Sequence, residues 1–314
     1  MKSSSFRKIA ALTATAALIL VGTTACGRGG GDEASGTKIV MALSTLNNPF
    51  FVELRDGAQA AADEAGVQLN IVDAQNDSAT QANQLATAAS GSTKAVIVNP
   101  VDSDAAASGV TDLLSADIPV IGVDRTVNGV DLNSLVASDN VAGGRQAADE
   151  LAKAMGEKGS VIHLQGVSGT SASRERGQGF EEGIKAYPEI TVVAKQTATF
   201  DRAAALDVTT NLMQANPGVT GLFAENDEMA LGAIQALGSR AGTDVLIVGF
   251  DGTADGLAAI EAGTLVATIA QQPGVLGKLA VEQAIKAIAG DKTPKTVPVE
   301  VVSVTKTNVG DFTK

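Results

Sequence analysis

The sequence contains few of the side chains on which many enzymes depend. Its 314 residues include no tryptophan, one tyrosine, one histidine and one cysteine. A single histidine and a single cysteine leave little material for a Ser–His or Cys–His catalytic arrangement, and one cysteine cannot form an intramolecular disulfide. The histidine, His163, lies within an apolar segment, so we expect it to be a buried strand residue.

Basic residues are also scarce. Lysine and arginine total 23 against 35 aspartates and glutamates, which gives a formal net charge of −12 at pH 7. Nucleic-acid binding requires clustered lysine and arginine, and the body of the chain has no basic stripe, so we expect no nucleic-acid partner. The segment Gly166-Val167-Ser168-Gly169 is rich in glycine but has neither the GxGxxG nor the GxxxxGK[ST] spacing. We therefore expect no nucleotide site, and neither a cofactor nor a metal.

The N-terminal segment has the features of an export signal. Three basic residues within the first eight positions precede an apolar stretch over residues 9–22, and small residues continue up to Cys26. A basic start, an apolar stretch too short to span a bilayer and small residues before a cleavage site are typical of a secretory signal. We therefore expect residues 1–25 to be a lipoprotein signal peptide and the protein to be exported.

Cys26 directly follows this signal. Thr24 and Ala25 before it resemble the lipobox of bacterial lipoproteins, although Thr23 stands where that pattern usually has Leu or Val. The resemblance implies that Cys26 is lipidated and becomes the new N-terminus; the alternative is a free buried thiol. Residues 26–36 are rich in glycine and polar, as expected of a flexible tether. We expect an anchor to the outer face of the cytoplasmic membrane, at the cell surface or in a periplasm.

Short β-branched segments alternate with Ala-rich segments of helical period from Lys38 onward. Strands are predicted over residues 38–43, 68–73, 95–98, 119–123, 134–137, 160–164, 191–196, 221–224, 245–249 and 265–269, and helices over 50–65, 79–91, 103–116, 141–155, 172–187, 202–215, 228–237, 253–262 and 275–289. Apolar strands separated by helices indicate parallel sheets covered on both faces. About ten such strands exceed a comfortable single sheet, so we predict an α/β fold with two domains.

Aromatic, amide and charged residues follow the predicted strands in both halves of the chain. In open parallel sheets, ligands bind beyond the carboxyl ends of the strands. Each residue has a simpler explanation when taken alone: Ser103 and Asp227 suit helix N-caps, and Asp124 with Arg125 suits a surface ion pair. Together they suit a sugar, because aspartate accepts hydrogen bonds from hydroxyls, arginine donates them and amides do both. Four of the eight phenylalanines (50, 51, 200 and 250) add rings on which sugar C–H faces can pack.

A glycosidase with two catalytic carboxylates, Asp124 and Asp251, is the enzymatic alternative. Each of these aspartates has an arginine or an amide nearby in the sequence. Such neighbours favour the ionised carboxylate, which suits an acceptor of hydroxyl protons better than a general acid. We therefore expect a binding protein that is not an enzyme.

Six segments resemble a known family. Residues 44–51, 99–104, 137–140, 169–177, 226–230 and 248–253 are similar, in order and spacing, to the ribose-binding proteins of the type I periplasmic-binding-protein family. The likeness covers nearly everything between Thr37 and Val304, and Glu225 stands where these relatives often have Gln. The resemblance implies an α/β fold of two similar doubly wound parallel-sheet domains joined by three crossover segments. We expect residues 37–138 plus 271–299 to form the N-terminal domain and residues 139–270 plus 300–314 to form the C-terminal domain.

The resemblance also implies the ligand contacts. Carried over by motif, they are Ser44, Asn48, Phe50, Phe51, Asn99, Asp124, Arg125, Arg176, Phe200, Asn226, Asp251 and Gln271. Arg176 precedes Gly177 as the family's ligand-binding arginine does, so Arg174 is expected to be structural.

The family further implies a role and partners. We expect the substrate-binding lipoprotein of an ABC sugar importer, which binds D-ribose by hinge closure, acts as a monomer and delivers the sugar to a membrane permease. The alternatives are a sugar sensor for a chemoreceptor or membrane kinase, and a binder of allose, galactose or xylose. Gene regulators with this fold carry an N-terminal helix-turn-helix, whereas in this chain the expected export signal stands in that place.

Overall fold

The computed structural model describes residues 37–313, which form two six-stranded sheets flanked by helices. The strands are β1 Lys38–Leu43, β2 Gln68–Asp73, β3 Ala95–Val98, β4 Val120–Val123, β5 Ser134–Ser138, β6 Lys158–Gln165, β7 Glu189–Thr197, β8 Gly221–Ala224, β9 Leu246–Asp251, β10 Ala267–Ala270, β11 Thr296–Val299 and β12 Val302–Thr305. The helices are α1 Pro49–Ala65, α2 Ser78–Ser90, α3 Ala107–Ser115, α4 Asn140–Ala154, α5 Ser171–Ile184, α6 Arg202–Ala215, α7 Asp227–Leu237, α8 Ala254–Ala262 and α9 Pro273–Ile288. Residues 1–36, with the predicted signal, Cys26 and the tether, lie outside the described residues.

The two sheets have the same topology. The first has the strand order β11-β5-β4-β3-β1-β2 and the second the order β12-β10-β9-β8-β6-β7. We call the first sheet with α1, α2, α3 and α9 the first lobe, and the second sheet with α4 to α8 the second lobe. All paired strands are parallel except β12, which is antiparallel to β10. The predicted fold class, with two similar doubly wound sheets, is confirmed.

Three connections join the lobes. They run from β5 to α4, from β10 to α9 and, across residues 300–301, from β11 directly to β12. The third connection explains the antiparallel strand. The carboxyl ends of both sheets face each other, so a strand that leaves the first sheet at that edge enters the second sheet against its direction. The last two strands, β11 and β12, accordingly lie in different sheets.

The helix boundaries follow local signals in most places. The Asn48 side chain accepts a hydrogen bond from Phe50 N at 2.9 Å and caps α1, Pro49 is its first residue, and Gly66 ends it at φ 66°. Helix α3 was predicted to start at residue 103 but begins at Ala107. Ser103, the predicted first residue of this helix, instead donates from its backbone N–H to the carbonyl of Gly169 in the second lobe, at 3.0 Å.

Aliphatic residues and alanine build the cores of both lobes. Phe180, Phe223 and Phe250 are the largest fully buried side chains. Small residues allow helices to approach closely, since a Cβ on Gly277 of α9 would overlap the carbonyl oxygen of Leu54 in α1. The scarcity of aromatic residues thus reflects close packing of helices on sheets and on each other. Among residues 37–313, no helix is long and apolar enough to cross a membrane.

Candidate functional site

A cavity lies between the lobes, at the carboxyl ends of the strands. It contains about 240 Å³ of space between protein atoms, a volume that includes space open to solvent. Its lining residues are Asn48, Phe50, Phe51, Asp124, Arg125, Ala172, Arg176, Phe200, Asn226, Asp251 and Gln271. The structure therefore brings ten of the twelve predicted contacts together and adds Ala172, which the sequence did not single out.

Three lining residues have a backbone conformation that L-residues rarely adopt. Asp124, Phe200 and Asp251 have φ values of 64°, 60° and 123°. Asp124 directly follows β4, Asp251 is the last residue of β9, and Phe200 lies three residues after the end of β7. Such strain persists only where the surrounding structure imposes it, and it is concentrated at functional sites. Here it occurs at three positions whose side chains line one cavity.

Aromatic rings and one guanidinium group close the cavity from both lobes. Phe50 and Phe51 pack edge to face, with ring centroids 5.1 Å apart. The Arg125 guanidinium carbon lies 5.3 Å from the Phe51 ring and 5.5 Å from the Phe200 ring, which belongs to the other lobe. Arg125 therefore bridges the lobes through cation–π contacts with one ring from each lobe.

The charged residues of the first lobe that line the cavity are Asp124 and Arg125. Asp124 Oδ2 lies 3.4 Å from Arg125 Nε and accepts a hydrogen bond from Asn99 Nδ2 at 3.0 Å. Arg125 also donates from Nη1 to the carbonyl of Pro100 at 3.0 Å. Burial lowers the pKa of Arg125, and the neighbouring Asp124 opposes that shift. Arg125 Nε makes no hydrogen bond among residues 37–313, and Asp124 is its ion-pair partner.

Ser44 and Asn99 do not line the cavity, in contrast to the ligand contacts expected from the resemblance. Ser44 Oγ donates to Asn99 Oδ1 at 2.6 Å, and the Asn99 amide in turn donates to Asp124. Both residues are fully buried at the ends of central strands, one step beneath the lining. They hold Asp124 in place.

The charged residues of the second lobe that line the cavity are Arg176 and Asp251, and Gln271 lies beside Asp251. Asp251 Oδ1 accepts a hydrogen bond from Gln271 Nε2 at 2.7 Å and lies 3.5 Å from Arg176 Nη1. Burial raises the pKa of Asp251 well above its usual value; Arg176 opposes this shift and the neighbouring Asp227 adds to it. The sequence indicated only the effect of the neighbouring arginine and amide, which lowers the pKa, and not the burial that raises it. Gln271 Oε1 is buried and has no hydrogen-bond partner among residues 37–313, which leaves an acceptor for a ligand hydroxyl.

Two buried carboxylates beneath the cavity were not recognised from the sequence. The first is Asp227, for which the sequence suggested a helix N-cap. The cap of α7 is Asn226, whose side chain accepts from Met229 N at 2.9 Å. Asp227 points inward and accepts from Thr253 N at 2.8 Å and from Thr268 Oγ1 at 2.7 Å. Burial raises the pKa of Asp227 to about 6.

The second buried carboxylate is Glu225. It contacts His163 Nε2 at 2.8 Å, accepts from Gly166 N at 2.6 Å and accepts from Ser173 Oγ. Its backbone carbonyl accepts from Arg176 Nη1 at 2.7 Å. Glu225 therefore joins β6, the start of α5 and the cavity arginine. His163 is fully buried in β6, as predicted.

The lobes also touch beside the cavity. Besides the Ser103–Gly169 backbone bond, Thr126 N donates to Ser171 Oγ at 3.0 Å and Ser171 N donates to Ser103 Oγ at 3.3 Å. Arg174, expected to be structural, reaches Asn128 of the first lobe at 3.3 Å and does not line the cavity. These contacts hold the lobes together around the cavity.

Two α/β lobes with three crossovers and a polar, aromatic cavity between them define a two-lobed ligand-binding protein. The chain matches the model of the periplasmic binding protein domain over residues 39–292 and belongs to this family. It is 47% identical over 268 residues to the ribose import binding protein RbsB of Escherichia coli, covering 85% of this chain and 90% of that protein. It is 44% identical over 259 residues to the corresponding protein of Bacillus subtilis, covering 82% of this chain and 84% of that one.

Solved structures show the same architecture. The myo-inositol binding protein of Caulobacter, bound to myo-inositol, superposes with a TM-score of 0.83 and 35% identity, covering 88% of this chain and 95% of that one. A periplasmic solute binding protein of Actinobacillus succinogenes with bound D-allose gives a TM-score of 0.82 at 32% identity, covering 87% and 99%. The resemblance to ribose-binding proteins and the predicted fold are both confirmed.

Proposed function

We propose that this protein binds D-ribose in the cavity between its lobes and delivers it to an ABC importer. The observation that carries the proposal is the pairing of a carboxylate with a guanidinium group in each lobe, Asp124 with Arg125 and Asp251 with Arg176, around one small cavity. The likeness to ribose import binding proteins supports ribose as the sugar and an importer as the partner.

The lining suits a small polyol. The two carboxylates can accept hydrogen bonds from adjacent hydroxyls, while the two arginines and the amides of Asn48, Asn226 and Gln271 can donate to hydroxyl oxygens. Hydrogen bonds that involve a charged group contribute about 1.5–3 kcal/mol each. The rings of Phe51 and Phe200 face the cavity from opposite lobes and can pack against the C–H faces of a sugar.

Binding by hinge closure follows from this arrangement. We propose that the two sheets are the cores of two domains, residues 37–138 plus 271–299 and residues 139–270 plus 300–314, which rotate about the three crossovers. Because the sugar would contact both domains, it would stabilise the closed state over the open one. A permease could then distinguish the loaded protein from the empty one.

A thermal-shift screen over pentoses, hexoses and cyclitols tests the ligand. At a sugar concentration of 1,000 times Kd, binding adds about 4.1 kcal/mol to the free energy of unfolding, so we expect D-ribose to raise Tm by several degrees. D-allose and myo-inositol belong in the screen because similar proteins hold them. No shift with D-ribose beside a clear shift with another sugar would contradict the ribose assignment. Formation of a hydrolysis product from a glycoside would instead indicate an enzyme.

We also propose that the protein is exported and anchored through a lipid on Cys26. The proposal rests on the signal-like segment 1–25 and on the lipobox-like residues before the cysteine. Expression with radioactive palmitate should label the native protein in the membrane fraction, and Cys26→Ser should abolish the label and release the protein. Labelling of Cys26→Ser at the native level would overturn the anchor. Sugar binding by the purified variant serves as the control for folding.

A further inference from the structure

Three residues of the second lobe, Asn140, Glu225 and Phe250, hold the guanidinium group of Arg176. Its guanidinium group donates from Nε to Asn140 Oδ1 at 2.9 Å and from Nη1 to the carbonyl of Glu225 at 2.7 Å. Its central carbon lies 3.9 Å from the centroid of the Phe250 ring. Nη2 makes no hydrogen bond among residues 37–313, and Arg176 lines the cavity. The surrounding groups therefore fix the plane of the guanidinium group and leave one nitrogen for a ligand.

Asn140 is the one side chain in this set that belongs to a crossover. It is the first residue of α4, two positions after the end of β5, and it is 2% exposed. Its amide nitrogen donates to Glu175 Oε2 at 3.0 Å. Because one end of the amide faces a donor and the other faces an acceptor, only one orientation of the amide satisfies both neighbours. Asn140 lies outside the cavity lining and was not among the expected ligand contacts.

The second crossover has a matching arrangement. Gln271, just after β10, donates to Asp251 Oδ1 at 2.7 Å. The buried pair of Arg176 and Asp251 is thus tied by amide side chains to two of the three segments that connect the lobes. A change of geometry in either crossover would be transmitted directly to one member of the pair.

We propose that Asn140 is a positioning residue that acts through Arg176: it sets the plane of the guanidinium group and couples the first crossover to ligand binding. The proposal rests on the proposed sugar-binding function. Removing the amide would leave the buried Nε–H of Arg176 without its acceptor, and the guanidinium group could turn about its last side-chain bond. The ordering of Arg176 would then have to be supplied when the sugar binds.

Asn140→Ala is the first test. We expect the Kd for the sugar identified in the thermal-shift screen to rise by about 3- to 10-fold, the range that corresponds to ordering one long side chain on binding. The matched control is Asp139→Asn, in the same crossover: residue 139 is exposed, and asparagine keeps the cap on Ala142 N. This control should bind within about twofold of the native protein.

A double-mutant cycle separates positioning from a general structural effect. Arg176→Lys keeps a positive charge but has no Nε–H donor, so adding Asn140→Ala to it should change the Kd by less than about twofold. Equal effects of Asn140→Ala in the native and Arg176→Lys backgrounds would overturn the proposal. If the native protein binds sugar, an unchanged Kd in the single variant Asn140→Ala would also overturn the proposal. If the native protein binds no sugar, the proposed function fails instead.

An NMR measurement on the ligand-free protein provides a readout that does not depend on affinity. The Nε–H signal of Arg176, identified by its loss in Arg176→Lys, should exchange slowly with solvent in the native protein and in Asp139→Asn. In Asn140→Ala the signal should shift and exchange much faster. Retention of the native shift and protection in that variant would show that Asn140 does not hold the guanidinium group.

Discussion

Replacing Asp251 by asparagine should weaken sugar binding by at least about 100-fold. The carboxylate of Asp251 is buried beside Gln271 and Arg176, and the proposed ligand hydroxyls would donate to its free lone pairs. Asparagine has one acceptor oxygen and presents N–H donors where the sugar presents hydroxyl protons. Losing two charge-assisted bonds of about 1.5–3 kcal/mol each corresponds to a factor of 100 or more in Kd.

Without sugar, the Asp251→Asn variant should remain as stable as the native protein. Burial and the neighbouring Asp227 raise the pKa of Asp251 above its value in the unfolded chain. A carboxyl group with a raised pKa opposes folding when it is ionised at neutral pH, and this effect is relieved as the pH falls. Asparagine removes that charge, while Arg176 keeps its bonds to Asn140 and Glu225. Tm without sugar should therefore not decrease.

The matched control is Asp255→Asn. Asp255 lies four residues further along, is largely exposed and contacts Arg202 at 3.0 Å. This variant should bind sugar as the native protein does, because an exposed ion pair contributes little and lies outside the cavity. Calorimetric titration with the sugar, together with Tm without it, measures both effects. Native affinity in Asp251→Asn would remove Asp251 from the site, and a large loss of Tm would assign the change to folding.

The position of most of the cavity could be predicted because parallel sheets bring strand ends together. Asp124 and Asp251 are 127 positions apart in the chain, yet Asp124 directly follows β4 and Asp251 ends β9, both at the edge that faces the cleft. The sequence could not show which of the residues at the strand ends line the cavity and which lie buried beneath it. Ser44 and Asn99 also follow strands, but their side chains point at each other beneath Asp124 and do not reach the cavity. Whether a residue at a strand end lines the site depends on how the next loop covers it.

Contacts between the lobes were predictable to a smaller extent. The polar segment after β3 has the composition of a helix start, and α3 was predicted to begin there. The helix instead begins later, and Ser103 bonds to Gly169 across the cleft. Similarly, the inward orientation of Asp227 depends on threonines that are 26 and 41 positions away in the sequence. Local propensity contains no information about such partners, so these parts required the structure.

Gly169→Val should impair closure and weaken sugar binding by about 10- to 100-fold. In the structure, a Cβ on Gly169 would overlap Asp102 Oδ2 of the other lobe. That carboxylate cannot easily turn away, because its Oδ1 accepts from the backbone N–H groups of Asp104 and Ala105, each at 2.9 Å. The clash exists only when the lobes meet, so the ligand-free protein should fold normally. Small-angle scattering with saturating sugar should show a larger radius of gyration than for the native protein.

Two variants decide whether the clash is the cause. Asp102→Ala removes the opposing carboxylate, so the double variant Asp102→Ala, Gly169→Val should recover much of the affinity and of the compact state. A Cβ on Gly218 of the second lobe would meet no other atom within 4 Å, so Gly218→Val should leave both measurements unchanged. If Gly169→Val binds and closes like the native protein, the lobes do not meet at this point in the bound state. If Asp102→Ala restores nothing, the effect of Gly169→Val arises within its own loop, because the strain of valine there does not depend on the opposite lobe.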